Sequence, residues 1–381
     1  MKGVNPIDLK GKQRLVFLDS LRGLAAAYVV IYHMALIPQP QLLLPRWIET
    51  FTLMGGTGVT LFFIVSAFSL YYTMPLRQAG EAPLKAFYLH RFLRIAPLFY
   101  FMLVVTVLRD TWVFDNHHSL QGVMASALFV FNFFPLRQEG IVWAGWTIGV
   151  EMIFYAAFPL IYARVRNLYS GIAMVLAMLL LWYLILAVLD LMALPAGWRE
   201  SIEQWSVFRH LPIFAVGGLL YFWYARLDPA DPERQSKGTM MLVAGVFTFL
   251  ALIRGWLPNL FGMPYYLQGV AYGLIFAGLA QAPWRLLVNR FTAFLGKISY
   301  SLYLMHPPVV LLLVPVYRWI YAGQHPVTLS FLACTALTFS IMLPLAWLGY
   351  RFIELPGIRL GRALEERWWR RSAAQAAVVR R

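Results

Sequence analysis

LRGLAAAYVVIYH, residues 21–33, is an apolar run with an arginine near its start and a histidine at its end. In a helix, Arg22 and His33 lie on one face, because they are about three turns and roughly 16 Å apart along the axis. Residues 15–37 together are long enough to cross about 30 Å of hydrocarbon. The stretch therefore predicts a membrane-spanning helix with a cation near one end and a base near the other.

The composition of the whole chain agrees with this. Of its 381 residues, 60% are hydrophobic and only 13% are charged, which is more apolar side chain than a soluble protein can bury. The net charge of +15 then indicates positive-inside topology and contact with anionic lipids, and no nucleic-acid partner is expected. The single cysteine, Cys334, lies in an apolar segment and cannot form an internal disulfide.

The hydropathy pattern predicts ten spans. One further apolar segment, 120–136, is short, and its role decides the topology. The predicted spans are 15–37, 51–74, 92–113, 146–163, 170–192, 206–225, 238–256, 264–281, 297–319 and 327–352.

The distribution of basic residues favours ten crossings. With 120–136 outside the count, 24 of the 32 Lys and Arg residues lie on the N-terminal side and seven on the other, with Arg22 inside the membrane. A crossing at 120–136 would put every later basic cluster outside. We therefore predict an all-α polytopic membrane protein with about ten transmembrane helices, a short re-entrant or interfacial helix at 120–136, and both termini cytoplasmic.

The domain organisation follows from the spans. Residues 1–355 are predicted to form a single transmembrane domain, and residues 356–381 a basic cytoplasmic tail on the inner membrane surface. The first apolar run is too long for a signal-peptide core, so a retained first helix is expected. The sequence has no P-loop, no Cys/His metal spacing, no HExxH motif and no GxSxG motif, and no bound metal is expected.

Ionisable residues in apolar spans are functional candidates, because their burial in hydrocarbon costs free energy. Arg22 could simply reach the cytoplasmic interface, and His33 could be an interfacial residue bonded to a neighbour. Alternatively, both line a cleft in which His33 is a general base, since neutral imidazole is basic near physiological pH. Arg91 and Arg94 are neighbours at i, i+3 that either anchor the third span or bind a phosphorylated ligand. Glu151 needs a partner, which could be an arginine in a structural ion pair.

Two further motifs have a structural and a functional interpretation. His306 precedes Pro307-Pro308, and it could simply bind a backbone carbonyl that the prolines free. Gly55, Gly56 and Gly58 open the second span, where they allow either close helix packing or close approach of a substrate to the backbone.

The order and spacing of these motifs resemble one family, the acyltransferase-3 membrane acyltransferases of bacterial surface glycans and some secondary metabolites. The likeness covers nearly the whole chain. The motifs that carry it are LDSLRGLA (18–25) leading to His33, GG (55–56), LFF (61–63), RFLRIAP (91–97), WTIGVE with FY (146–155) and ISYSLYLMH (298–306).

The chain departs from this family pattern at three positions, one of which is the basic pair before the third span, which begins His90-Arg91. Residues 66–68 read Ser-Ala-Phe where Ser-Gly-Phe is common, and Met152 stands where a second glutamate often follows Glu151. Some relatives carry an appended periplasmic hydrolase-like domain. Because this chain ends about 30 residues past its last predicted span, we expect it to complete the transfer in the membrane domain or to pass the acyl group to a partner.

The resemblance implies an acyl-CoA-dependent O-acyltransferase in the bacterial cytoplasmic (inner) membrane. Cytoplasmic acyl-CoA, expected to be acetyl-CoA, would be the donor substrate without any tightly bound cofactor. A sugar hydroxyl of a surface polysaccharide or glycolipid would be the acceptor. The expected residues are His33 and Glu151 for catalysis, Arg22, Arg91 and Arg94 for acyl-CoA, and Gly55, Gly56, Trp146, Tyr303 and His306 for substrate.

Three alternatives stay open from the sequence. A transporter or channel would use the same buried charges as a substrate path and would form no covalent product. An acyl relay would consume acyl-CoA and hand the group to a second protein. A structural scaffold has no use for Arg22, Glu151 and His306 in apolar spans.

Overall fold

The structure, a computed structural model, describes residues 15–78, 82–257, 263–323 and 325–370. These residues form helices and connecting segments and contain no β-strand. The fifteen α-helices among them are α1 (Val16–Leu36), α2 (Glu49–Leu53), α3 (Gly58–Gln78), α4 (Pro83–Val113), α5 (Leu120–Ala127), α6 (Trp146–Arg164), α7 (Leu168–Leu191), α8 (Trp198–Trp205), α9 (Val207–Tyr224), α10 (Arg234–Ile253), α11 (Met263–Gln281), α12 (Arg290–Lys297), α13 (Ser299–Ala322), α14 (Val327–Gly349) and α15 (Leu355–Glu365).

The all-helical, multi-pass class is confirmed. Eight of the helical stretches in the described part of the chain are long and apolar enough to cross a membrane: α1, α3, α4, α6, α7, α10, α13 and the stretch that starts with α14. The other two predicted spans coincide with α9 and α11, which have 18 and 19 residues. The count of ten crossings and the cytoplasmic position of both termini remain predictions, and residues 1–14 lie outside the described residues.

The segment 120–136 does not form a helix of spanning length. Its α-helix, α5, has eight residues and is therefore about 12 Å long. A 3₁₀ turn at Phe131–Phe133 follows. The segment packs on α4, where the Tyr100 hydroxyl donates to the Ala127 carbonyl at 2.9 Å and the Phe99 and Phe129 rings are 4.6 Å apart. The re-entrant or interfacial position of this segment in the membrane remains a prediction.

Two helices extend beyond their predicted spans. α4 begins at Pro83, nine residues before the predicted start, because polar residues can continue a helix outside the hydrocarbon. After α14 a π-helical turn at Tyr350–Glu354 leads into α15, which packs against α4. His90 on α4 pairs with Glu365 at 2.7 Å. The first part of the predicted tail is thus a helix that packs against α4 near His90 and Leu93.

The distribution of exposed residues matches a lipid environment. α7 presents a leucine stripe at i, i+4, i+8, in which Leu176, Leu180 and Leu184 each expose more than half of their surface. Such a stripe is unfavourable in water and is satisfied by lipid tails. α1 lies in the interior instead, in contact with α3, α11, α12 and α13. The helix with the Arg22–His33 stripe is therefore at the centre of the bundle.

α1 crosses α12 at very close range. A Cβ atom on Gly296 would lie 1.8 Å from the Asp19 carbonyl oxygen, and one on Gly23 would lie 2.5 Å from the Thr292 carbonyl oxygen. Both glycines contact backbone, which cannot move aside as a flexible side chain can. The two helices must separate if either glycine gains a side chain.

We expect Gly296→Ala to destabilise the protein by about 1–3 kcal/mol or more. This range is the usual cost of overpacking. The check is the melting temperature of the detergent-purified protein, followed by size-exclusion chromatography. Gly273→Ala is the matched control, because its nearest neighbour would be 3.5 Å away in ordinary van der Waals contact. Equal melting temperatures for the two variants would contradict this account of the crossing.

Candidate active site

A narrow cavity of about 80 Å³ lies between α1, α3, α4, α6 and α13. We call it the central cavity. Its walls combine aromatic and aliphatic side chains with a small set of polar groups. Six of these polar residues are Arg22, Ser66, Arg91, Arg94, Glu151 and Tyr155. A concave, mostly apolar site with a few converging polar groups is typical of substrate-binding sites.

Glu151 is held in this cavity by two hydroxyl groups. Ser66 on α3 and Tyr155 on α6 both donate hydrogen bonds to Glu151 Oε1, and the two hydroxyl oxygens are 3.1 Å apart. Tyr155 lies four residues after Glu151, on the same face of α6. The Arg91 guanidinium lies 5.4 Å from the centre of the Tyr155 ring. In the described residues, hydroxyl donors are therefore the direct partners of Glu151, and the arginine is one layer further away.

A second, wider space of about 450 Å³ adjoins the N-terminal end of α1. We call it the arginine vestibule. Its lining includes five Lys or Arg side chains and two carboxylates, so cations predominate: Arg22, Arg91, Arg94, Lys297, Arg362, Asp19 and Glu354. Arg22, Arg91 and Arg94 line both the vestibule and the central cavity. The three arginines that the sequence indicated are thus brought together from two helices.

The contacts of these arginines leave donors available. Arg22 donates to Ser69 Oγ at 2.6 Å and lies 3.6 Å from an Asp19 carboxylate oxygen. Arg91 donates to Thr73 Oγ1 at 3.4 Å, and its buried Nε atom makes no hydrogen bond within the described chain. A buried guanidinium nitrogen without a partner is costly. A bound anion would satisfy it.

His33 and His306 form a direct pair. His306 Nε2 lies 2.9 Å from His33 Nδ1, and the two rings are 4.8 Å apart. His33 Nδ1 is also 3.1 Å from the Val29 carbonyl oxygen, and His306 Nδ1 is 2.5 Å from the Tyr303 carbonyl oxygen. His306 is fully buried, whereas His33 is partly exposed. The pair lies one turn of α13 beyond Tyr303, which lines the central cavity.

The aromatic candidates lie around the central cavity. The Tyr303 hydroxyl accepts from Thr147 Oγ1 at 3.1 Å and lies 3.2 Å from the Ala144 carbonyl oxygen. Trp146 packs on Phe63, a lining residue of the cavity, with ring centres 6.2 Å apart. The Trp146 ring is therefore one layer behind the cavity wall.

Gly55 and Gly56 pack against α1. A Cβ atom on Gly55 would lie 2.5 Å from Tyr32 Cβ, and one on Gly56 would lie 3.3 Å from Tyr32 Cε1. Close packing against α1 is enough to explain Gly55. Contact of either glycine with a substrate remains a prediction.

Sequence reasoning missed several polar members of the site. Tyr155 could have been found, because its i+4 spacing from Glu151 places both on one face of α6. Ser66 carried no such signal, since its partner is 85 residues away in the chain. Glu354, which is 2% exposed and accepts from Ser301 Oγ at 3.3 Å, was hidden at the edge of an apolar span.

We expect Tyr155→Phe to lower the melting temperature, because it removes one of two hydroxyl donors from a buried carboxylate, at a cost of about 1–3 kcal/mol. The loss should be smaller in the Glu151→Gln background, since hydroxyls donate more strongly to a carboxylate than to a neutral amide. A double-mutant cycle of melting temperatures measures the difference. Equal losses in both backgrounds would show that Tyr155 does not act through Glu151.

The fold and site define a multi-pass membrane protein whose central cavity adjoins an arginine-lined space and reaches Tyr303, one turn of α13 from a histidine pair. The family model "Acyltransferase domain" (Acyl_transf_3) matches residues 15–348. The chain belongs to the acyltransferase-3 family, which confirms the resemblance stated above. No solved structure is significantly similar to it.

Two curated relatives illustrate the similarity. The peptidoglycan O-acetyltransferase OatA of Listeria monocytogenes is 25% identical over 381 residues, which cover 89% of this chain and 55% of that protein. The O-acetyltransferase OatA of Staphylococcus aureus (strain NCTC 8325) is 23% identical over 373 residues, covering 89% of this chain and 56% of that protein. The chain spans little more than half the length of these relatives.

Proposed function

We propose that this protein is a membrane O-acyltransferase that moves an acetyl group from cytoplasmic acetyl-CoA to a hydroxyl group of a surface glycan. One observation carries the proposal. Arg22, Arg91 and Arg94 line both the arginine vestibule and the central cavity, and the cavity reaches Tyr303, one turn of α13 from the His33–His306 pair. The site thus has an anion-binding end and a basic end.

The charge and the size of the two cavities support acetyl-CoA as the donor. CoA carries phosphate groups, and guanidinium forks are well suited to bind them. The vestibule is wide and cationic, and the orphaned Arg91 Nε offers it one more donor. The central cavity is small, which favours a short acyl group. With the N-terminus of α1 placed in the cytoplasm, the vestibule opens toward the cellular acyl-CoA pool.

The histidine pair supports the chemistry of acyl transfer. His33 removes the proton of the acceptor hydroxyl, and the oxygen attacks the thioester carbonyl. The carbon–sulfur bond then breaks, and the CoA thiolate takes the proton back from the His33 imidazolium. In a two-step variant His33 itself attacks the thioester and the CoA thiolate leaves. The acyl-imidazole then gives the acyl group to the acceptor hydroxyl, whose proton passes to the thiolate. Glu151 keeps the Ser66 and Tyr155 hydroxyls and the nearby Arg91 in place on the donor side.

The position of His33 and the names of the relatives support a sugar hydroxyl as the acceptor. His33 lies in the last turn of α1, at the end opposite the vestibule. An acceptor from outside the cell would reach this end first in the predicted topology. Both relatives are named as O-acetyltransferases, and the Listeria protein as one that acts on peptidoglycan. A sugar hydroxyl is therefore the acceptor that we propose.

The test uses the purified full chain in liposomes with [¹⁴C]acetyl-CoA on the vestibule side and a panel of glycan acceptors on the other. We expect CoA release together with alkali-labile label on a glycan. Label on the protein alone would support the acyl relay over direct transfer. Uptake of intact label without CoA release would support a transporter. Either of these two results would overturn the proposal.

A further inference from the structure

A proline in α13 bears on which nitrogen of His33 carries the proton. In an α-helix the amide of residue 307 donates to the carbonyl of residue 303. Pro307 has no N–H, so the Tyr303 carbonyl loses its helical donor. A buried carbonyl without a partner is unfavourable. His306 Nδ1, at 2.5 Å from this oxygen, takes the vacant position.

This contact determines the tautomer of His306. A carbonyl oxygen only accepts hydrogen bonds, so His306 Nδ1 must carry the hydrogen. A neutral imidazole has one N–H, and His306 Nε2 is therefore an acceptor. His306 is fully buried, which disfavours a second proton.

The tautomer of His306 in turn determines that of His33. His306 Nε2 accepts at 2.9 Å, so its partner His33 Nδ1 must donate. The Val29 carbonyl, 3.1 Å from His33 Nδ1, independently requires a donor at that nitrogen. Both acceptors, His306 Nε2 and the Val29 carbonyl, therefore place the ring hydrogen of neutral His33 on Nδ1. The lone pair is then on His33 Nε2.

We propose that His306 is a positioning residue, and that Pro307, through the freed Tyr303 carbonyl, locks His33 in the tautomer whose Nε2 is the reactive base. This inference rests on the proposed function for the identity of the reaction. When His33 Nε2 takes the acceptor proton, Nδ1–H still donates to His306 Nε2. That bond becomes charge-assisted and stronger as the imidazolium forms. The proton leaves Nε2 again for the CoA thiolate, so the pair returns to its starting state.

The first test reads the tautomer directly and needs no activity. Protein labelled with ¹³C,¹⁵N-histidine is reconstituted in lipid, and solid-state NMR correlates each ring nitrogen with its carbons. The His33 and His306 signals are assigned by their loss in His33→Gln and His306→Gln. We expect the bare nitrogen of His33 to be bonded to Cδ2, as Nε2 is. A protonated Nε2 on His33 overturns the inference, even if acyl transfer itself is confirmed.

The second test separates positioning from packing. In His306→Gln the side-chain oxygen can accept from His33 Nδ1–H, whereas in His306→Leu no acceptor remains. For folded variants with similar melting temperatures, we expect kcat to fall by about 10²-fold or more in the leucine variant. The glutamine variant should recover at least about tenfold of this loss. KM for acetyl-CoA should be unchanged in both. Equal kcat values for the two variants, or an effect on KM alone, would count against the positioning role.

The third test addresses the proline. Pro307→Ala returns an amide donor to the Tyr303 carbonyl, where it competes with His306 Nδ1. Pro308→Ala is the matched control, because it returns a donor to the Leu304 carbonyl one residue further on. We expect kcat to fall by about tenfold in Pro307→Ala and by less than about twofold in Pro308→Ala. Equal effects of the two substitutions would show that the freed Tyr303 carbonyl does not act on the histidine pair.

The outcomes also separate this inference from the proposed function. If the wild-type protein transfers no acyl group but shows the stated tautomers, the proposed function fails and the tautomer lock stands. If it transfers the group with the other tautomer, the lock fails and the proposed function stands.

Discussion

His33→Ala is expected to lower kcat for acetyl transfer by about 10²–10⁴-fold, the range that a positioned general base contributes. The effect should fall on kcat, because the arginine vestibule that would bind CoA lies at the other end of α1, roughly 16 Å from His33. The substitution leaves the Arg22 contacts with Ser69 and Asp19 intact. The measurement is steady-state CoA release with a saturating glycan acceptor.

His117→Ala is the matched control for this variant. His117 has a side chain that is 72% exposed, and it lies in the connection after α4. It should retain full activity and the wild-type melting temperature. A folded His33→Ala protein with wild-type kcat would exclude His33 as the base and with it the mechanism proposed above.

Arg94→Ala is expected to raise KM for acetyl-CoA by about 10–100-fold, because a charge-assisted bond to phosphate contributes about 1.5–3 kcal/mol. Arg94 lines both the vestibule and the central cavity, so it can reach a phosphate at the junction of the two. Arg94→Lys should recover only part of the loss, since an ammonium group cannot form the two-pronged contact of a guanidinium.

The donor itself provides the control. S-acetyl-pantetheine carries the thioester without the phosphates, so its KM should be nearly the same in wild type and Arg94→Ala. Arg285→Ala, at an exposed position in the connection after α11, should change neither KM. A KM that rises equally for both donors would indicate that Arg94 shapes the cavity and does not bind phosphate.

The spans were predictable because their signal is local. The length of each apolar run is set by the thickness of the hydrocarbon, so the predicted and observed helices overlap throughout. The ends were less predictable. α4 starts nine residues early and α15 continues past the last span, because helices outside the membrane follow tertiary contacts such as His90 with Glu365.

The residues of the site were predictable only as single positions. The cost of an ionisable group in hydrocarbon singled out Arg22, Glu151 and His306 from the sequence. The sequence left an arginine as one possible partner of Glu151, whereas the structure shows Ser66 and Tyr155 as its direct donors. Ser66 is an ordinary helix residue until α3 packs on α6.

The sequence by itself determined the class of the protein, the first helix with its Arg22–His33 stripe, and the proline that frees a carbonyl in α13, since each depends on residues close together in the chain. Only the tertiary structure brought His306 to His33, 273 residues away, and gathered three arginines from α1 and α4 at two adjoining cavities. The reason is physical: a helix fixes the direction of its own side chains, but the partner of a buried polar group depends on which helix packs against it.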